Sequence, residues 1–126
     1  MRFNVSSSGN ILTRREKMGW GGEPYLGWGE SIQETWAPAI TLDSILDINS
    51  APKIINFLSI DVEGAEYAVL SGVDFSKYEF CVICTDCELN SPAYNLLMSN
   101  NYVLYQIVGG SMIFLSENFS AGFVCQ

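Results

Sequence analysis

Two carboxylates and a glycine end an apolar run in Phe57-Leu58-Ser59-Ile60-Asp61-Val62-Glu63-Gly64-Ala65-Glu66-Tyr67. The run has the length of a strand, and the residues after Gly64 change to helical spacing, so Asp61 and Glu63 fall at a strand's carboxyl end. In open α/β sheets that is the edge where ligands bind. A carboxylate positioned there can accept a proton from a reacting group, which is worth roughly 100- to 10,000-fold in rate. If the strand continues through Glu63, the two acids share a face and together can hold a divalent cation such as magnesium, with waters completing its shell. Structural readings compete. Asp61 can cap the following helix, and Glu63 and Glu66 can be first-turn acids favoured by the helix dipole.

Asp86, Glu88 and Asn90 form a second group. They follow the apolar run Tyr78 to Cys84 and fall at the end of the next strand, where they either line an acceptor pocket or stand as solvated surface. Cys84-Thr85-Asp86-Cys87 has the C-x-x-C form, but there is no histidine and no second such pair independent of Cys84 to complete a tetrahedral zinc site. The motif continues a strand rather than opening a helix, and residues three apart on a strand face opposite ways. The four cysteines are therefore read as buried, reduced and structural. Gly19-Trp20-Gly21-Gly22-Glu23-Pro24 and Gly27-Trp28-Gly29 fail the dinucleotide fingerprint, with Pro24 and Ile32 where a third glycine belongs.

The elements that position these residues begin at Ala39. Thr41 caps a short helix with Leu42, Ile45 and Leu46 on its apolar face and Asp43 in its first turn. Asn49 to Pro52 breaks it, and Ile54 to Ile60 follows as a buried strand. A helix of roughly two turns then runs to Gly72, which serves as a left-handed stop. Tyr78 to Cys84 is a second buried strand, Ser91-Pro92 opens a helix with Leu96 and Leu97 inward, and Asn100-Asn101 closes it. Tyr102 to Val108 and Ser111 to Ser116 are strands joined at Gly109-Gly110 by a hairpin turn. Tyr94, Tyr102 and Tyr105 fill the core or its margin. The order α, β, α, β, α, β, β predicts a parallel sheet carrying an antiparallel strand. Before Ala39 only Phe3 to Val5 reads as a strand, followed by a Ser-Gly-Asn turn.

A net charge of −8, with four of six basic residues before Met18, opposes binding to nucleic-acid phosphates. No apolar stretch approaches the ~20 residues of a membrane helix and no signal-peptide core follows Met1, so the reading is a soluble, cytoplasmic chain with neither nucleic-acid nor membrane partners.

Ile40-Thr41-Leu42-Asp43-Ser44-Ile45-Leu46, then Phe57 to Glu66 and Val69-Leu70-Ser71-Gly72, resembles the hallmark of the FkbM-type methyltransferases over roughly residues 39–119. The resemblance implies dependence on S-adenosylmethionine and O-methylation of a small-molecule or sugar hydroxyl. It also implies an α/β fold, namely part of a Rossmann-like class I methyltransferase sheet, mostly parallel with a C-terminal antiparallel hairpin. Asp61 would then lie near the reacting methyl as base or hydroxyl anchor, with Glu63 beside it and Asp86, Glu88 and Asn90 toward the acceptor. In that family the glycine-rich cofactor loop and its partner acid precede the Thr-Leu-Asp helix by a long stretch, and residues 1–38 carry neither. The expected organisation is an irregular Gly/Trp-rich segment over 1–38 and the C-terminal half of the methyltransferase domain over 39–126, with the cofactor half absent or supplied in trans. Cofactor-binding residues stay unassigned. A strand edge bared by the missing half invites a second copy or another partner, and Trp20, Trp28 and Trp36 either close over an acceptor or patch that edge. The competing class is a non-catalytic interaction module on the same fold; a glycosyltransferase is weaker, because Asp61-Val62-Glu63 is not Asp-x-Asp.

Overall fold

The computed structural model describes residues 2–6, 11–12, 32–36, 38–120 and 122. The Ser-Gly-Asn turn at 8–10 and the glycine-rich stretch from Gly19 to Gly29, including Trp20 and Trp28, lie outside the described residues. The chain divides into two units, Met1–Ala39 and Ile40–Gln126.

In the first unit β1 (Arg2–Ser6) pairs antiparallel with both β2 (Ile11–Leu12) and β3 (Ile32–Trp36), in the order β2-β1-β3. β1 contains the expected Phe3 to Val5. β3 is a strand in a segment read as irregular, because Ile32-Gln-Glu-Thr-Trp36 lacks apolar alternation and its ladder is supplied by β1, remote in sequence.

The second unit has α1 (Leu42–Ile48), β4 (Ile54–Ile60), α2 (Glu66–Leu70), β5 (Glu79–Asp86), α3 (Pro92–Ser99), β6 (Tyr102–Val108), β7 (Ser111–Ser116) and a short α4 (Glu117–Ser120). Local chemistry explains the boundaries. Thr41 Oγ1 accepts the Ser44 N–H at 3.2 Å, and Ser91 Oγ accepts the Tyr94 N–H at 3.3 Å with Pro92 opening the helix. Gly109 and Gly110, at φ 62° and 112°, make the two-residue turn between β6 and β7.

The strands are ordered β4-β5-β7-β6. β4 and β5 are parallel, whereas β7 is antiparallel to both of its neighbours. β4, β5 and β6 thus run one way, but β7 separates β6 from β5 and leaves a single parallel pair. The hairpin is as expected; the mostly parallel pairing is corrected, because the returning strand is inserted rather than added at the edge.

One sheet face carries Ile60, Ile83, Met112 and Phe114 into a core closed by Leu70 of α2 and Ala93 and Leu97 of α3. Tyr94 packs edge-on against Phe114 with ring centroids 5.8 Å apart. Tyr102 is buried and its hydroxyl accepts the Phe80 N–H at 3.0 Å, while Tyr105 is exposed beside an irregularity in the β6–β7 register. Three expectations need correction. β4 is not a buried strand: only Ile60 is fully buried and Phe57 is 58 % exposed, because among the described residues β4 pairs with β5 alone. Ile45 is 44 % exposed, whereas Leu42 and Leu46 do pack on the core. Gly72 is not left-handed; an added Cβ there would stand 3.3 Å from Thr41 Cβ, so glycine admits the close approach of α1. Among the described residues no helix is long and apolar enough to cross a membrane.

Candidate functional site at the carboxyl edge

Parallel pairing of β4 with β5 sets Ile60 opposite Thr85. One residue further on, Asp61 and Asp86 leave the same sheet edge on strands spaced about 4.8 Å apart. Both are exposed, as are Glu63, Glu88 and Asn90 in the two loops that follow. The structure thus collects all five sequence candidates at one edge. Asp86 is fixed by the hairpin, its Oδ1 accepting the Ser111 hydroxyl at 2.5 Å across the β5–β7 pair.

Asp61 and Glu63 do not share a strand face. β4 stops at Ile60, and the chain turns through Glu63 and Gly64 at φ 50° and 95°. The two acids therefore sit on a turn, which removes the geometric premise for a shared cation, and among the described residues no group of three or more His, Cys, Asp or Glu is placed to hold a metal. Asp61 is not the helix cap either: the N-cap of α2 is Ala65, without a side-chain bond. Glu66 is the first-turn acid, yet it is 7 % exposed and its Oε1 accepts the Gly64 N–H at 2.9 Å.

Beneath this edge lies Thr85, 1 % exposed, whose Oγ1 has no hydrogen-bond partner. Such an unmade bond costs about 1–3 kcal/mol, so its presence beside Asp61 and Asp86 is informative. Cys87 follows in the next loop with its Sγ 3.6 Å from Met112 Sδ. Burial pushes the Cys87 thiol up, and the negative charges of Glu66 and Asp86 add to that against a bond from Ser91. It stays protonated at neutral pH, which suits neither a nucleophile nor a metal ligand. Cys84 and Cys87 are free thiols, but Cys81 is disulfide-bonded, correcting the reading of all four cysteines as reduced; strand spacing says nothing of a partner elsewhere in the chain.

Sequence reasoning missed Thr85 and Ser111, and it read Glu66 as a first-turn acid without its burial or its bond to Gly64. Glu66 was signalled only by its place after Gly64-Ala65, where a first-turn glutamate can reach back to a free N–H. Thr85 and Ser111 carried no local signal, since their positions depend on register.

A cavity of about 250 Å³ lies at the sheet's other end, lined by Glu79, Asn101, Tyr102 and Asn118 among others. There Asn118 Nδ2 donates to Glu79 Oε1 at 3.1 Å and the Tyr102 hydroxyl accepts the Phe80 N–H, so these polar groups are already bonded.

No curated protein and no solved structure matches the chain. The family model of the methyltransferase FkbM domain matches residues 4–105, a span that begins well ahead of Ala39 and includes both strand ends of the edge. On that match, the chain belongs to the FkbM methyltransferase domain family.

Proposed function

We propose that this chain forms the acceptor side of an S-adenosylmethionine-dependent methyltransferase acting on a small-molecule or sugar hydroxyl. The observation that carries the residue assignment is the placement of Asp61 and Asp86 at the carboxyl ends of adjacent parallel strands, in a chain of a methyltransferase family. The order β4-β5-β7-β6 supports reading this sheet as the second half of a Rossmann-like one.

S-adenosylmethionine supplies an electrophilic methyl group when bound. The carboxylates of this edge suit hydroxyl groups and a neighbouring positive charge, whereas no described loop is rich in glycine, so no residue is assigned to holding the adenosine. Asp61 orients the acceptor hydroxyl and takes its proton as the oxygen gains the methyl group. Asp86, held by Ser111, and the exposed Glu88 and Asn90 line the acceptor. Orientation of this kind can supply on the order of 7 to 11 kcal/mol in ideal cases, so the residues need little chemistry of their own.

The test is calorimetric titration of the full chain with S-adenosylmethionine, followed by transfer of a labelled methyl group to a panel of hydroxylated acceptors. Binding and transfer by the wild type, with transfer suppressed in Asp61→Asn, are expected. No binding and no transfer would favour the non-catalytic module. For that outcome the exposed Ile54 and Phe57 of β4 support pairing with a second chain, read as a mass above the monomer in size exclusion.

A further inference from the structure

Four non-glycine residues among those described have positive φ: Ser50, Glu63, Asn90 and Asn101. Ser50 and Asn101 each follow a helix C-cap, Asn49 and Asn100, where a left-handed residue is a common way to stop a helix. Glu63 and Asn90 have no helix to end. Both lie in the loops leaving the carboxyl ends of β4 and β5, at the edge that gathers the candidate acids. Asparagine tolerates this conformation, but a long side chain such as glutamate adopts it only where the surroundings enforce it.

Glu66 stands where it can enforce it. Its carboxylate is buried and accepts the Gly64 N–H at 2.9 Å, directly after Glu63. Capping alone does not explain this arrangement. A serine or aspartate at position 65 would cap α2 from the surface, whereas the N-cap is Ala65 and a charged group has been taken out of water instead. The charge of the same carboxylate also raises the Cys87 thiol in the loop after β5, behind the larger effect of burial.

We propose that Glu66 is a positioning residue of the carboxyl-edge site: by bonding the Gly64 N–H it holds Glu63 left-handed and fixes where Asp61 and Glu63 present their carboxylates. This inference rests on reading Asp61 and Glu63 as site residues, but its conformational content is tested without turnover.

In the ¹⁵N-labelled full chain, the Gly64 amide should be protected from hydrogen exchange despite its exposed loop, and the Glu63 three-bond HN–Hα coupling together with a strong intraresidue HN–Hα NOE should report a positive φ. Glu66→Gln, whose amide oxygen accepts the same bond, should keep both signatures. Glu66→Ala should lose Gly64 protection by about tenfold or more and shift the Glu63 coupling, with the β4 and β5 amides unchanged. A wild-type Gly64 amide exchanging as an unstructured one overturns the proposal without any variant, so it stays decidable even if Glu66→Ala does not fold. An unchanged Glu63 coupling with an unchanged intraresidue HN–Hα NOE in folded Glu66→Ala overturns it too. With labelled S-adenosylmethionine and an acceptor that the wild type methylates, Glu66→Ala should lower kcat about 100-fold with KM little changed, and Glu66→Gln should restore it. If the wild type methylates nothing, the methyltransferase reading fails while the exchange and coupling measurements still decide this one.

Discussion

At the amino end of β5 a lysine is tied to an acid of α1, whereas the loops leaving the carboxyl ends of β4 and β5 carry acids and no lysine or arginine of their own. Lys53 immediately precedes β4 and Lys77 stands just before β5; they are the only cationic side chains after Met18. Lys77 Nζ meets both Asp47 oxygens, at 2.5 and 2.6 Å, and the Tyr78 hydroxyl donates to Asp47 at 2.5 Å, which ties α1 to the start of β5. Asp43 of the same helix accepts the Asp74 N–H at 2.9 Å. At the other edge Asp61, Glu63, Asp86 and Glu88 gather in two loops, and no Lys or Arg follows Lys77 anywhere in the chain. The acids of α1 are bonded to the start of β5 and the turn before it, and at the carboxyl edge Asp86 is bonded to Ser111. Acids gathered in neighbouring loops disfavour one another's charge, which favours a ligand that brings a hydroxyl proton or positive charge.

The contrast breaks most directly at Asp61. Asp61→Asn is expected to lower methyl transfer by about 100- to 10,000-fold with the denaturation midpoint unchanged, since the residue is exposed. A loss of stability in place of a loss of rate would make this edge structural like the other. At the amino edge the expectation is the reverse. Tyr102→Phe leaves the buried Phe80 N–H without an acceptor, and a loss of about 1–3 kcal/mol in chemical denaturation should follow. Tyr102 also carries a pH signature, because burial, opposed by the bond from Phe80, pushes its hydroxyl up to about 12. The unfolded chain releases that proton first, so stability should be full below about pH 10 and fall as pH rises toward 12. In Tyr102→Phe that part of the alkaline decline should vanish.

Thr85→Val sharpens the comparison from beneath the site. Removing an unpartnered buried hydroxyl should stabilise the fold by about 1 kcal/mol, measured by denaturant midpoint. Destabilisation would mean that the hydroxyl has a partner in solution. The smallest effect concerns Asp47, whose carboxyl is held below its ordinary range first by the Lys77 bond and then by the Tyr78 bond. A depressed acid contributes stability above the ordinary carboxylate range and loses it as pH falls through the folded value. Asp47→Asn should therefore flatten the acid limb of stability, and an unaltered limb would show the pair to be solvent-screened.

Much of the second unit was legible because its signals are local. Thr41, Ser91-Pro92 and Gly109-Gly110 act on residues three or four positions away, so sequence spacing placed α1, α3 and the β6–β7 hairpin. Asp61 and Asp86 were legible for a related reason: each ends an apolar run, and strand ends mark the binding edge of α/β sheets. β3 was not legible, since its pairing comes from β1 across more than twenty intervening residues. The exposure of β4 and the burial of Glu66 were equally hidden, because burial depends on which elements come to lie alongside.

By itself the sequence determined the order of helices and strands, their caps and turns, the acidic strand ends and the resemblance to a methyltransferase family. These follow from backbone preferences and hydrogen bonds closed within a few residues. Only the tertiary structure decided that β7 enters between β5 and β6, that Gly72 admits Thr41, that Thr85 is buried without a partner and that Glu66 is buried. Each of those is set by contacts between segments distant in the chain, where packing and register select among arrangements that local preference leaves equal.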